Sequence, residues 1–203
     1  MNYFLVAIVA YLLGSVSFAV IVSRLFGLPD PRTYGSNNPG ATNVLRSGNK
    51  LAAALTLLGD ALKGWLAVAL ASRAAPILGL GEVHIAIAAL FVFLGHLFPA
   101  FYQFKGGKGV ATALGVLLAL DWRVGVGAAV LWLVIFGLTR TSSLAALVAT
   151  AVTPIAAYFF RGADFATGVI LLIALLVIWR HKENIARLLS GNEKEIAKSK
   201  SSQ

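Results

Sequence analysis

Long apolar stretches, parted by short polar or charged clusters, run through this chain at roughly 2–25, 51–71, 83–98, 109–120, 124–139, 142–160 and 164–179. A helix rises 1.5 Å per residue, so about 20 apolar residues match a hydrocarbon core about 30 Å thick. The pattern therefore predicts an all-α, polytopic integral membrane protein with seven transmembrane helices. The first stretch has no Lys or Arg ahead of it and is too long for the core of a signal peptide, so it reads as a retained helix. The fourth and fifth stretches are short and separated only by Asp121, Trp122 and Arg123. Fused, they would form one helix about 45 Å long with two charges near mid-membrane, which a hairpin of two short spans avoids.

The cations test that choice. Seven spans put Arg24, Arg32, Arg46, Lys50, Lys105, Lys108, Arg140, Arg180, Lys182, Arg187, Lys194, Lys198 and Lys200 on one side, thirteen against only Arg73, Arg123 and Arg161 on the other. Fusing the fourth and fifth spans leaves eight against seven. Because cytoplasmic loops carry the excess of Lys and Arg, the seven-span reading predicts an outside N-terminus and a cytoplasmic C-terminus.

Composition sharpens the class. Of 203 residues, 59% are hydrophobic and 12% charged, against about 25% charged in soluble domains. There is no cysteine, which excludes disulfides, thiol catalysis and thiolate metal sites. A net charge of +9 on a soluble chain would suggest nucleic acid; on a membrane protein it sets topology and meets anionic lipid or phosphate. No repeat is evident, so residues 1–190 read as one transmembrane domain followed by a polar tail at 191–203.

With this topology the unusual polar residues share one face of the membrane. One loop carries Ser36, Asn37, Asn38, Thr42, Asn43 and Arg46 among Gly35, Pro39 and Gly40. Its side chains can bond a polyol or phosphate, or merely cap turns, and Arg46 adds a planar fork suited to phosphate oxygens. A second loop holds Lys105, Gly106, Gly107, Lys108 and Gly109. Glycine amides can form an anion-holding concavity and each lysine adds a compact cation, so this segment suggests phosphate binding; as a bland alternative it is a flexible basic turn. It is not a Walker A loop, since Tyr102 stands where the first glycine belongs and Gly109 follows Lys108. Ser142 and Ser143 open the sixth span. His181 and Asn184, three residues apart, share a helical face beyond the last one, available for hydrogen bonding or proton transfer or simply interfacial. Asp60 and Lys63 interrupt the second span, where they can pair across one turn, either as an ion pair that locks helices together or as the lining of a polar cavity. The three histidines are scattered, so no metal site is expected, and no cofactor either.

Four strings together, GSNNPGATNVLR (35–46), GDALKG (59–64), GHLFPAFYQFKGGKGVAT (95–112) and HKENIARLLSGNE (181–193), resemble the bacterial acyl-phosphate glycerol-3-phosphate acyltransferase family, PlsY. They cover nearly the whole chain in order. The resemblance implies a seven-helix enzyme of the bacterial inner membrane, its active site facing the cytoplasm. It would move a fatty acyl group from acyl phosphate to the 1-hydroxyl of sn-glycerol 3-phosphate, giving lysophosphatidic acid and phosphate. A partner enzyme that makes acyl phosphate is implied too. By motif, Ser36, Asn37, Asn43 and Arg46 would hold glycerol phosphate, the segment from Lys105 to Gly109 would cradle a phosphoryl group, and Ser143, His181 and Asn184 match the family's remaining polar site residues. Ser142 could stand in for Ser143, and Asn38 could replace Asn37 as the ligand contact, because Asn37 occupies a position where the family carries glycine. The histidine–aspartate dyad of thioester-using acyltransferases is absent: Ala89, Phe101 and Ala186 lie five residues after His84, His96 and His181. The alternative function is transport of an organic phosphate, which would require a polar path exposed alternately to both faces.

Overall fold

The computed structural model describes residues 2–193. Among them there is no strand. The helices are α1 (Asn2–Gly14), α2 (Phe18–Leu25), α3 (Ala41–Leu45), α4 (Lys50–Leu78), α5 (Glu82–Leu97), α6 (Val110–Leu120), α7 (Trp122–Thr139), α8 (Ser142–Arg161), α9 (Phe165–Arg180) and α10 (Lys182–Leu189), with a 3-10 turn at Ala100–Tyr102. Five segments are long and apolar enough to cross a membrane: Tyr3–Leu25, Lys50–Leu78, Glu82–Tyr102, Trp122–Thr139 and Ser142–Arg161. Helix α9 passes the same test only together with α10, to which it is bent by 58°. Helix α6 has 11 residues and falls short of the others.

Side chains fix the boundaries. Asn49 caps α4 by accepting the Ala52 amide at 2.9 Å, and Gly79, left-handed at φ 63°, ends it. Asp121 is extended and caps α7, accepting the Arg123 amide at 3.0 Å and the Arg123 guanidinium at 2.7 Å. The break expected at Asp121 is therefore present, and its carboxylate is what starts the next helix. The first apolar stretch, in contrast, is not one helix. It opens between Gly14 and Phe18, where a Cβ on Gly14 would collide with the Val92 backbone and where Lys63 Nζ donates to the freed Val16 carbonyl at 2.6 Å.

The core lies between α1, α4, α5, α6 and α9, around Val68, Val92, Phe93, Leu97, Val116 and Val177. Glycines bring α4 and α6 close: a side chain on Gly64 would meet the Thr112 carbonyl, and one on Gly115 the Ala61 carbonyl. Outward faces are apolar instead of polar, with Leu138, Ile155 and Phe159 more than two-thirds exposed. Such surface suits lipid, not water.

Contacts sort the helix ends into two sets. At one end Tyr3 stacks on His84 at 4.0 Å, Arg161 donates to the Leu120 carbonyl at 2.8 Å, and Arg161 pairs with Asp164 at 2.7 Å. At the other, Tyr11 donates to the Phe98 carbonyl at 2.5 Å, Thr42 bonds Ser142 at 3.1 Å, and Lys108 reaches Asn184. All the polar strings of the sequence except the membrane-buried Lys63 collect at this second end.

Candidate active site

A cavity of about 940 Å³ opens at that end, walled by the α2–α4 connection, α4, the α5–α6 loop, the first turn of α8 and the α9–α10 junction. Its lining takes in Ser36, Asn37, Asn38, Asn43, Arg46, Asp60, Gly106, Lys108, Gly109, Ser142, Ser143, His181 and Asn184, residues distant in sequence. Lys105, Lys63 and Gly107, also singled out from the sequence, do not line it: Lys105 is exposed on the loop, while Lys63 and Gly107 are buried behind the wall.

The α2–α4 connection is organised by Asn43. Its Nδ2 donates to the Pro31 and Tyr34 carbonyls at 2.7 and 3.1 Å, and its Oδ1 accepts the Ser36 amide at 3.0 Å. Asn43 thus holds the loop in shape, leaving Ser36, Asn37 and Arg46 as its exposed polar side chains along the cavity. Asn37 adopts the left-handed conformation at φ 52°, which asparagine tolerates better than most residues, so the position survives without glycine.

In the glycine–lysine loop one amide is already spent. The Gly107 amide is already committed to the His96 carbonyl at 3.2 Å. A Cβ on Gly106 would strike the His96 carbonyl and one on Gly107 the His96 ring, so these glycines are required by protein packing. Gly109, at φ 85°, lies against Phe93 and Leu97. What the loop delivers into the cavity is chiefly the Lys108 ammonium, bonded to Asn184 Oδ1. Burial, helped by the nearby Arg187 cation, pushes the Lys108 amine down to about 8.

Beneath the loop, Asp60 and Lys63 are paired at 2.9 Å, with His96 Nδ1 3.6 Å from the same carboxylate oxygen and 3.1 Å from Thr112 Oγ1. Lys63 is consumed by this pair and by the Val16 carbonyl, so of the two readings offered by the sequence it takes the structural one, whereas Asp60 reaches the cavity floor.

At the α9–α10 junction His181 is buried, and its Nδ1 lies 2.8 Å from the Val177 carbonyl. A carbonyl only accepts, so Nδ1 carries the proton and Nε2 keeps its lone pair. Burial pulls the ring down to about 4, the Val177 bond opposing this and the Lys108 cation adding to it. His181 is neutral at neutral pH. Ser143 donates to Glu193 at 2.6 Å, Asn184 at 2.5 Å and Arg187 at 2.6 Å. Burial works against the Glu193 charge, but these bonds outweigh it and hold its carboxyl below the usual range. The start of the predicted polar tail is therefore part of the site; residues 194–203 of that tail lie outside the described residues. Glu193, Arg187 and Arg180 were not picked out from the sequence, where the arginines read as topology signals. The short separation of Arg187 from Glu193 within the fourth string was the available clue.

A narrow apolar crevice between α6, α7, α8 and α9, about 60 Å³, joins the main cavity through Val110, Leu114, Ala129, Trp132 and Ala146. Among the described residues no group of three or more metal-ligating side chains converges.

Comparison with known proteins gives a consistent result. The family model described as glycerol-3-phosphate acyltransferase matches residues 4–191. The glycerol-3-phosphate acyltransferase of Nitrosospira multiformis is 61% identical over 189 residues, covering 93% of this chain and 94% of the relative. That of Cupriavidus necator is 59% identical over 196 residues, 97% of each. The crystal structure of PlsY (YgiH), an integral membrane glycerol 3-phosphate acyltransferase in its glycerol 3-phosphate form, superposes with a TM-score of 0.89 at 37% identity, over 97% of this chain and 96% of that one. Its lysophosphatidic acid form gives 0.87 at 36%, with the same coverage. With a family model spanning nearly all of its length and relatives this similar, the chain belongs to the glycerol-3-phosphate acyltransferase family.

Proposed function

We propose that the protein transfers a fatty acyl group from acyl phosphate to the 1-hydroxyl of sn-glycerol 3-phosphate, without an acyl-enzyme, on the cytoplasmic side of the bacterial inner membrane. The observation that carries this reading is a single cavity that unites the Lys108 and Arg46 cations with Ser36, Ser143, His181 and Asn184 and continues into an apolar crevice. Cations at a membrane boundary suit two phosphorylated reactants, and the crevice suits the tail of an acyl donor. Seven membrane crossings, with the N-terminus outside, bring all these loops to one face, a reading supported by the asymmetry of cations.

The reaction needs no strong protein acid, because acyl phosphate is an activated mixed anhydride. The glycerol hydroxyl attacks the acyl carbonyl, a carbon–oxygen ester bond forms, and the bond to the phosphate oxygen breaks with its electron pair leaving on phosphate. His181, at about 4, is too weak a base to carry the proton away. Its Nε2 instead orients the hydroxyl, and the proton passes to a phosphate oxygen. Lys108, with Asn184 holding its ammonium, stabilises the charge that builds on the leaving group. Ser36 and Arg46 hold the phosphate of the acceptor, with Asn37 and Asn38 beside them.

The test is purified protein in micelles given acyl phosphate and glycerol 3-phosphate, with acyl thioester and excess chelator as parallel arms. Lysophosphatidic acid forming together with phosphate, from acyl phosphate alone and unaffected by chelator, is the expected result. Uptake of an organic phosphate into liposomes without product would replace this reading with transport.

A further inference from the structure

Arg180 ends α9 on the cavity side and crosses to the α5–α6 loop. Its Nη2 donates to the Gly106 carbonyl at 2.8 Å and its Nε to the Gly107 carbonyl at 3.2 Å. The neighbouring Trp179 ring lies 5.9 Å from its Cζ. From the opposite side, the His96 carbonyl takes the Gly107 amide at 3.2 Å. Of the two peptide units immediately before Lys108, the one between Gly106 and Gly107 is thereby held at both its carbonyl and its amide and the one between Gly107 and Lys108 at its carbonyl, and both glycines are buried. A carbonyl oxygen is the negative end of its dipole, so two of them left free beside an anion site would repel a phosphate. The guanidinium takes up both at once, a two-point geometry that the single ammonium of lysine does not reproduce. The same junction carries Asn184, which holds the far end of Lys108; α9 and α10 thus secure that lysine at its root and at its tip.

We propose that Arg180 is a positioning residue for acyl transfer, bridging the Gly106 and Gly107 carbonyls so that Lys108 is presented to a substrate phosphoryl group. This rests on the reading of Lys108 as the cation that meets phosphate. The test compares wild type, Arg180→Lys and Arg180→Gln in the micellar assay, with KM and kcat measured for both substrates, melting midpoints recorded, and calorimetric binding of glycerol 3-phosphate and of inorganic phosphate to each protein.

Both variants are expected to lose about tenfold or more in kcat/KM, the scale of a lost charge-assisted bond. The loss falls mainly on kcat, because the cation that meets the leaving phosphate is misplaced, leaves the KM of glycerol 3-phosphate and the melting midpoint unchanged, and is as large for lysine as for glutamine. Any change of KM falls on acyl phosphate, whose phosphoryl group Lys108 meets on that reading. Wild-type kinetics and phosphate binding in Arg180→Lys would overturn the proposal, because charge without the two-point bridge would then suffice. So would a parallel decline in every parameter together with a lower melting midpoint, which marks a general packing role. Absence of product with wild type fails the acyl-transfer reading instead, and unchanged phosphate binding in Arg180→Lys then decides against the positioning role by itself.

Discussion

Lys108 and Lys105 sit three residues apart in the same loop, yet only the first faces the cavity. Removing one preorganised donor to a developing anion costs about 2.7–4 kcal/mol in the barrier, so Lys108→Ala should lower kcat roughly 10²–10³-fold. Lys105→Ala should cost far less, and steady-state rates of the two variants check the contrast. The role proposed for it requires the ammonium in its charged form. With a value near 8 in the free enzyme, the charged fraction falls as pH rises through that point, and kcat/KM should decline there. In Lys108→Arg that limb should move beyond the measurable range. Glycines and lysines crowded into five residues made this loop visible in the sequence. Its packing was not visible, because the His96 carbonyl that occupies the Gly107 amide comes from another helix. For the same reason Arg180 and Arg187 could be read only as charges on the positive side of the membrane.

At the level of elements, the buried pair of Asp60 and Lys63 joins α4 to the gap between α1 and α2 and to α5. Breaking a buried pair by removing one partner costs about 3–5 kcal/mol, since the other charge is left uncompensated. Lys63→Met should therefore lower the thermal midpoint in detergent markedly, and Asp60→Leu combined with Lys63→Met should recover much of that loss. Equal destabilisation in the single and double variants would show that the Val16 carbonyl, not the charge, is what needs Lys63. The opening between Gly14 and Phe18 could not be read from an unbroken apolar stretch, because its causes are the Val92 backbone and a lysine 47 residues away. The Asp121 break could be read, because a fused helix would carry Asp121 and Arg123 to mid-membrane and cancel the asymmetry of cations; the cap that makes it is seen only in the structure.

For the whole molecule, the alternation of helix directions places 26–49, 98–109, 140–141 and 181–193 at one end. The chain contains no cysteine, so single cysteines can be introduced without background. Thr33→Cys, Gln103→Cys and Lys182→Cys should react with a membrane-impermeant thiol reagent from the same face, and Glu82→Cys and Ala163→Cys from the opposite one. Labelling of the first three from different faces would dissolve the shared cavity. The gathering of these loops was legible from the sequence because the cations that orient a membrane protein and the polar residues that line the cavity lie in the same loops.

The brevity of α6 has a consequence for how far water reaches into the molecule. Eleven residues rise only about 16 Å, roughly half the thickness of the hydrocarbon layer. None of them is exposed, so the shortfall is taken up among the neighbouring helices and not by the lipid, and the cavity becomes a recess with protein walls. On the acyl-transfer reading, a water-soluble alcohol and a greasy anhydride would meet in that recess without either leaving its own phase. Turnover in vesicles assembled from progressively longer-chain lipids should therefore change little.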